Sequence, residues 1–138
     1  ISDANLLAQF SQMYRTAIDT FMEKVGMFRG QGLVLCQVVK QNGMTQSEIA
    51  EALSVQGATI TNMLKKMEDA NLITRQRDPQ DNRLVRVYAT KAGIELETSI
   101  AKQLDSLEDS ILAGISESDR AILRRVIWQI IGNIEKLG

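Results

Sequence analysis

The stretch "RQRDPQDNRLVRVYATKAG", Arg75 to Gly93, decides the fold. It holds the single proline of a 138-residue chain and five of its sixteen lysines and arginines. A solvated loop needs no such gathering of cations; a loop that touches a polyanion does. Val85, Val87 and Ala89 alternate with Arg86 and Tyr88, the period of a half-buried strand. "LITRQR" is a second β-prone run on the far side of "DPQDN". Asp, Pro, Asp and Asn between the two runs make a hairpin, and Thr90 stands ready to cap a following helix.

Upstream, "TQSEIAEAL" opens with Thr45 and carries Glu48 three residues later, a capping box. After "SVQG" a helix is predicted from Gly57 to Ala70, with Ile60, Met63, Leu64 and Met67 on one stripe. Asn71 suits the left-handed position that stops it. The opposite face carries Ala58, Thr59, Asn62, Lys65, Lys66 and Asp69. Small residues come first and permit close approach. Asn62 suits adenine edges, and the two lysines suit phosphates. Gly57 leaves the amides at the helix start open to a phosphate. The plain alternative is an ordinary solvated helix face.

Further out, residues 6–25 form a long amphipathic helix through Leu6, Leu7, Phe10, Met13, Tyr14, Ala17, Ile18, Phe21, Met22 and Val25. "VGMFRGQG" reads as a linker, because no GK[ST] follows it and no strand precedes it. "LVLCQVVKQ", 33–41, reads as a short buried helix stopped by Asn42-Gly43. Two more helices fill the last 45 residues. The second has a wide stripe at Ile122, Leu123, Val126, Ile127, Ile130, Ile131, Ile134 and Leu137, and Ser116 can cap it.

Composition fits this plan. The chain is 44% hydrophobic with only 4% aromatics, so a helical core of aliphatic residues is expected. Net charge is −1, yet residues 56–93 hold seven cations against four anions, while residues 94–138 hold five against eight. No apolar run is long enough to span a membrane, and no secretory leader is visible. With a lone cysteine, Cys36, a reducing cytoplasm is expected.

The wing text resembles the MarR family of transcriptional regulators. That family's pattern is D-x-R, apolar strand residues, then a threonine and a glycine, and Asp81, Arg83, Val87, Thr90 and Gly93 stand in register with it. "TQSEIAEAL" and "TITNMLKKMEDANLITR" look like the family's helix-turn-helix and its exit into the wing. Asn71 stands where glycine is common, and Ala89 where leucine is common. The resemblance implies a mainly α fold with a small β-hairpin wing in a single domain. Its winged helix-turn-helix lobe would cover residues 30–93, with residues 1–28 and 94–138 as a helical dimerisation region. It also implies a homodimer on a pseudo-palindromic DNA operator, the recognition helix in the major groove and Arg83 in the minor groove. Gly57, Ala58, Thr59, Asn62, Lys65, Lys66, Arg75, Arg77, Asp81, Arg83 and Arg86 are the candidate DNA-binding residues.

The dimer has support apart from the resemblance. Stripes at Leu6, Leu7 and Phe10, and at Ile127, Ile130, Ile131 and Ile134, are too wide for one small domain to cover. An intramolecular bundle is the alternative. Many relatives sense a small aromatic or anionic compound, for which Met13, Tyr14, Phe21, Met27, Phe28 and Arg29 are the candidate lining here. Arg29 would suit a carboxylate. Other relatives sense peroxide through a first-helix cysteine. Cys36 lies in the second helix and reads as an inert small hydrophobe.

The chain has no histidine, which removes the commonest acid–base group and most zinc sites. Asp105, Glu108 and Asp109 read as a solvated helix face rather than a metal site. No enzyme, cofactor or metal is therefore expected. The rival function is a winged domain that contacts protein, which predicts weak, salt-insensitive affinity for duplex DNA.

Overall fold

In the computed structural model, which describes Ile1–Gly138, the chain forms six helices and one small sheet. In order these are α1 (Asp3–Lys24), α2 (Arg29–Lys40), β1 (Met44–Thr45), α3 (Gln46–Ala52), α4 (Gly57–Asp69), β2 (Ile73–Arg77), β3 (Val85–Ala89), α5 (Lys91–Ile111) and α6 (Glu117–Glu135). The chain divides into two compact units, residues 1–101 and residues 102–138.

The first unit holds the helix-turn-helix and the wing. Thr45 starts α3 as the sequence requires: its hydroxyl accepts the Glu48 N–H at 3.1 Å, and the Glu48 carboxylate accepts the Thr45 N–H at 3.1 Å. Ser54 takes a left-handed φ of 54° in the turn to α4, and Asn71 takes 61° where α4 stops. The core is built from one face of each element. Val34, Leu35 and Val38 come from α2, Ile49 from α3, Ile60, Leu64 and Met67 from α4, and Ile73 and Val87 from the hairpin. Each of these nine side chains is essentially dry.

The wing is one strand larger than the sequence pattern shows. β3 lies between β2 and β1, antiparallel to both, with Arg75 opposite Val87 and Met44 also opposite Val87. A two-residue strand carries no alternation of its own, so β1 is invisible until β3 supplies its partner. The hairpin is tied to α5 at Thr90. Its hydroxyl donates to the Asn71 carbonyl at 2.7 Å and accepts the Gly93 N–H at 3.0 Å. A side chain at Gly93 would overlap the Leu72 carbonyl oxygen, which explains the glycine.

Two expectations in this unit need correction. Residues 29–32 are not a linker but the first turn of α2. The Gln31 side chain accepts the Phe28 N–H at 3.1 Å and so closes the helix start. Gly30 and Gly32 sit in that turn because the Met63 and Met22 side chains press on them; a Cβ at Gly30 would lie 2.9 Å from Met63 Cε. Cys36 is not a buried hydrophobe but exposed. The inward face of α2 is set by Val34, Leu35 and Val38, and position 36 falls on the opposite side.

In the second unit, the turn between α5 and α6 is closed by Arg120, which donates to the carbonyls of Leu112 at 2.9 Å and Ile115 at 3.1 Å. Ser116 caps α6 by accepting the Asp119 N–H at 3.2 Å. No helix of the chain is long and apolar enough to cross a membrane.

Candidate nucleic-acid interface

α4 turns its stripe of Ile60, Leu64 and Met67 inward, which forces Ala58, Thr59, Asn62, Lys65 and Lys66 outward, and all five are exposed. Gly57 begins the helix, and no side chain caps its start. The first amides of α4 therefore face solvent with the positive end of the helix dipole behind them.

The wing tip is shaped by its acids. Asp78 accepts the backbone N–H groups of Gln80 at 2.7 Å and Asp81 at 3.2 Å, which folds the chain around Pro79. Asp81 accepts the backbone N–H of Arg83 and grips its guanidinium with two bonds, at 3.0 and 3.1 Å. The Arg83 side chain is nonetheless 89% exposed, the most exposed charged group in any ion pair of the chain. Arg77, at the exposed end of β2, donates to the Asn82 carbonyl at 2.7 Å.

Arg75 and Arg86, named among the candidate DNA-binding residues, are engaged by acceptors within the lobe. Arg86 bridges Asp78, at 2.7 Å, to the Gly43 carbonyl, at 2.8 Å, and so ties the tip to the corner before β1. Arg75 turns down onto Glu68 and Gln46. Strand alternation fixes which face a side chain leaves from. The acceptor that a long arginine finds is fixed by neighbouring elements.

These pairs also shift acidity. The Arg86 guanidinium holds the Asp78 carboxyl below its ordinary range, and the Arg83 guanidinium does the same to Asp81. A lowered folded value adds stability above the ordinary carboxylate pKa and loses it as pH falls through the lowered value.

The candidate effector residues do not line one common recess. Met27, Phe28 and Arg29 meet Asp19 and Glu23 in a cavity of about 290 Å³, with Arg29 and Asp19 paired at 3.6 Å. Met27 is itself largely core. Met13 lines a separate groove along α1 with Gln9, Gln12, Thr16 and Ala17. Tyr14 packs its ring against Phe10, centroids 5.7 Å apart, and Phe21 is half-buried. Of the dimer candidates, Leu6, Leu7, Phe10 and Ile134 are exposed, while Ile127, Ile130 and Ile131 are half-buried.

Sequence reasoning missed Gln46, Thr61 and Glu68. They join Arg75 in one hydrogen-bonded group, yet each alone reads as polar helix surface.

Comparison with known proteins agrees with this geometry. The family model described as MarR family matches residues 29–85, from the start of α2 into β3. The chain is 24% identical over 135 residues to the uncharacterized HTH-type transcriptional regulator YdgJ of Bacillus subtilis (strain 168), covering 98% of this chain and 82% of that protein. It is 32% identical over 98 residues to the HTH-type transcriptional repressor MdtR of the same organism, 70% of this chain and 63% of that one. Among solved structures it resembles MepR, a transcription regulator of the Staphylococcus aureus multidrug efflux pump MepA. The TM-score is 0.83 at 25% identity, over 97% of this chain and 99% of that chain. The S. aureus MepR–DNA complex gives 0.79 at 26% identity, over 96% and 98%. The likeness in structure runs through nearly the whole chain and the family's own segment falls on the helix-turn-helix and wing, so what this chain is similar to is the MarR family of transcriptional regulators.

Proposed function

We propose that this regulator is a repressor that binds a pseudo-palindromic DNA operator as a homodimer. The proteins it resembles are transcriptional regulators, and this chain is read as a regulator and not as an enzyme. One observation carries the reading. A single lobe presents the uncapped start of α4 with Asn62, Lys65 and Lys66, and the same lobe holds out an almost fully solvated Arg83 on a stiff hairpin. A helix of that kind fits the major groove, and an arginine of that kind fits the adjacent minor groove, where A·T-rich sequence deepens the negative potential. MepR, which shares the fold, has been solved with DNA. The exposed apolar faces of α1 and α6 supply the surface for a second copy.

Selection of bound sequences from a random duplex pool tests this. An inverted repeat with half-sites about one helical turn apart is the expected product. Weak binding without sequence preference or salt dependence would instead favour a winged domain that contacts protein.

Lys65 is assigned to phosphate. Lys65→Ala should weaken binding to all duplexes alike and reduce the slope of log affinity against log salt by about one unit per contact. A changed sequence preference with an unchanged slope would make Lys65 a base reader.

An effector response is also proposed, for a small aromatic anion in the recess at Met27, Phe28 and Arg29. The exposed Arg29–Asp19 pair is weak, so a ligand carboxylate can replace Asp19. With benzoate as probe, melting of the wild type should rise and that of Arg29→Gln should not. Equal shifts in both would place the ligand elsewhere.

A further inference from the structure

Charge alone makes Glu68 a liability on a lobe that must approach a polyanion. Its contacts give it another task. The Glu68 carboxylate, at the C-terminal end of α4, accepts the Arg75 backbone N–H at 3.1 Å and the Arg75 guanidinium at 3.1 Å. The same guanidinium donates to the Gln46 side chain at 3.3 Å. Gln46 donates to the Thr61 hydroxyl at 3.4 Å, and that hydroxyl donates to the Gly57 carbonyl at 2.9 Å. The chain of bonds therefore touches the middle of β2, the first residue of α3, and both ends of α4. The Arg75 side chain is only 22% exposed, and its Nε is buried without a partner. An unpaired buried donor costs free energy, so the bonds to Glu68 and Gln46 are what keep the guanidinium in place.

We infer that Arg75, Glu68 and Gln46 are positioning residues: they hold α4 at one angle to the wing, so that Asn62, Lys65, Lys66 and Arg83 meet a duplex together, and they touch no DNA themselves. The inference rests on the DNA-binding reading above. It takes Arg75 out of the cations that contact phosphate and makes an anion, Glu68, favourable for binding.

The test compares two probes, the operator duplex selected by the wild type and a shuffled duplex of the same length. Both are titrated at fixed salt and at a temperature where melting shows every variant folded. Glu68→Ala is expected to lower operator affinity about tenfold and to leave the shuffled duplex bound as before, because a reading head that has lost its alignment loses specific contacts first. Glu68→Gln removes the same charge but keeps an oxygen for Arg75, and should restore most of the operator affinity. Gln46→Ala, which changes no charge, should shift the ratio of the two affinities in the same direction as Glu68→Ala, and it carries the test if Glu68→Ala does not fold. Operator binding by Glu68→Ala as tight as wild type or tighter would overturn the inference, as would an equal loss on both duplexes. A wild type that selects no sequence would remove the DNA reading itself, and this inference with it. A wild type that selects an operator while Glu68→Ala keeps its preference would remove this inference alone.

Discussion

Arg83→Ala is expected to weaken operator binding by about 1–3 kcal/mol per contact, felt twice in a dimer, while the melting temperature stays where it is. The side chain hydrogen-bonds only Asp81 and is 89% exposed, so its removal leaves no buried group unpaired. An ion pair so exposed contributes little to stability. Its expected effect is on geometry: two bonds to Asp81 favour one orientation of the guanidinium plane, and a side chain partly ordered in advance would lose less entropy on the proposed insertion. Arg83→Lys should recover only part of the affinity, since an ammonium lacks the planar fork and holds its water more tightly. Titration of wild type and variants on one operator at fixed salt, with melting as the folding control, decides the matter. Unchanged affinity in a folded Arg83→Ala protein would remove the wing from the mechanism.

Ile130→Glu is expected to abolish the dimer at micromolar concentration. Ile130 lies on the apolar stripe of α6 with Ile127, Ile131 and Ile134, and Ile134 is 60% exposed in the single chain. If a second copy covers this stripe, a carboxylate there loses its water without gaining a partner, which costs several kcal/mol. Because Ile130 is half-buried within its own chain, Ile134→Glu serves as the companion variant. Its side chain is already in solvent in one protomer, so a dimer lost through Ile134→Glu is lost at the interface and not through unfolding. Sedimentation should give monomers for both variants and a dimer for the wild type. A well-folded wild-type monomer at the same concentration would overturn the dimer reading, and the two-fold operator with it.

Much of the local structure around α3, α4 and the hairpin is legible in the sequence. Capping is local chemistry, so Thr45, Thr90 and Ser116 announced three helix starts by spacing alone, and each makes the predicted bond. The outward face of α4 was legible because a 3.6-residue period assigns the outside as soon as Ile60, Leu64 and Met67 claim the inside. Gly30 and Gly32 misled because glycine reads as a breaker when its packing partner is unknown. The thioether groups that press on them come from Met63 and Met22, on other helices.

The sequence by itself determined the helix-turn-helix, the hairpin with Asp81 and Arg83 in its turn region, and the side of α4 that faces away from the core, but not the two-residue β1 or the first turn of α2. What it determined follows from interactions within a few residues, where periodicity and spacing are the physics. Tertiary structure decided what the cations do. Arg75, Arg77, Arg83 and Arg86 look alike as a cluster of charge, yet Arg75 and Arg86 are taken up within the lobe while Arg77 and Arg83 stay exposed. Arg86 was claimed by Asp78 and by a carbonyl 43 positions away, and Arg75 by Glu68 and by Gln46, 29 positions away. A guanidinium on a long flexible stem takes whichever acceptors the fold brings within about 3 Å, and that choice is made between elements, where local sequence carries no signal.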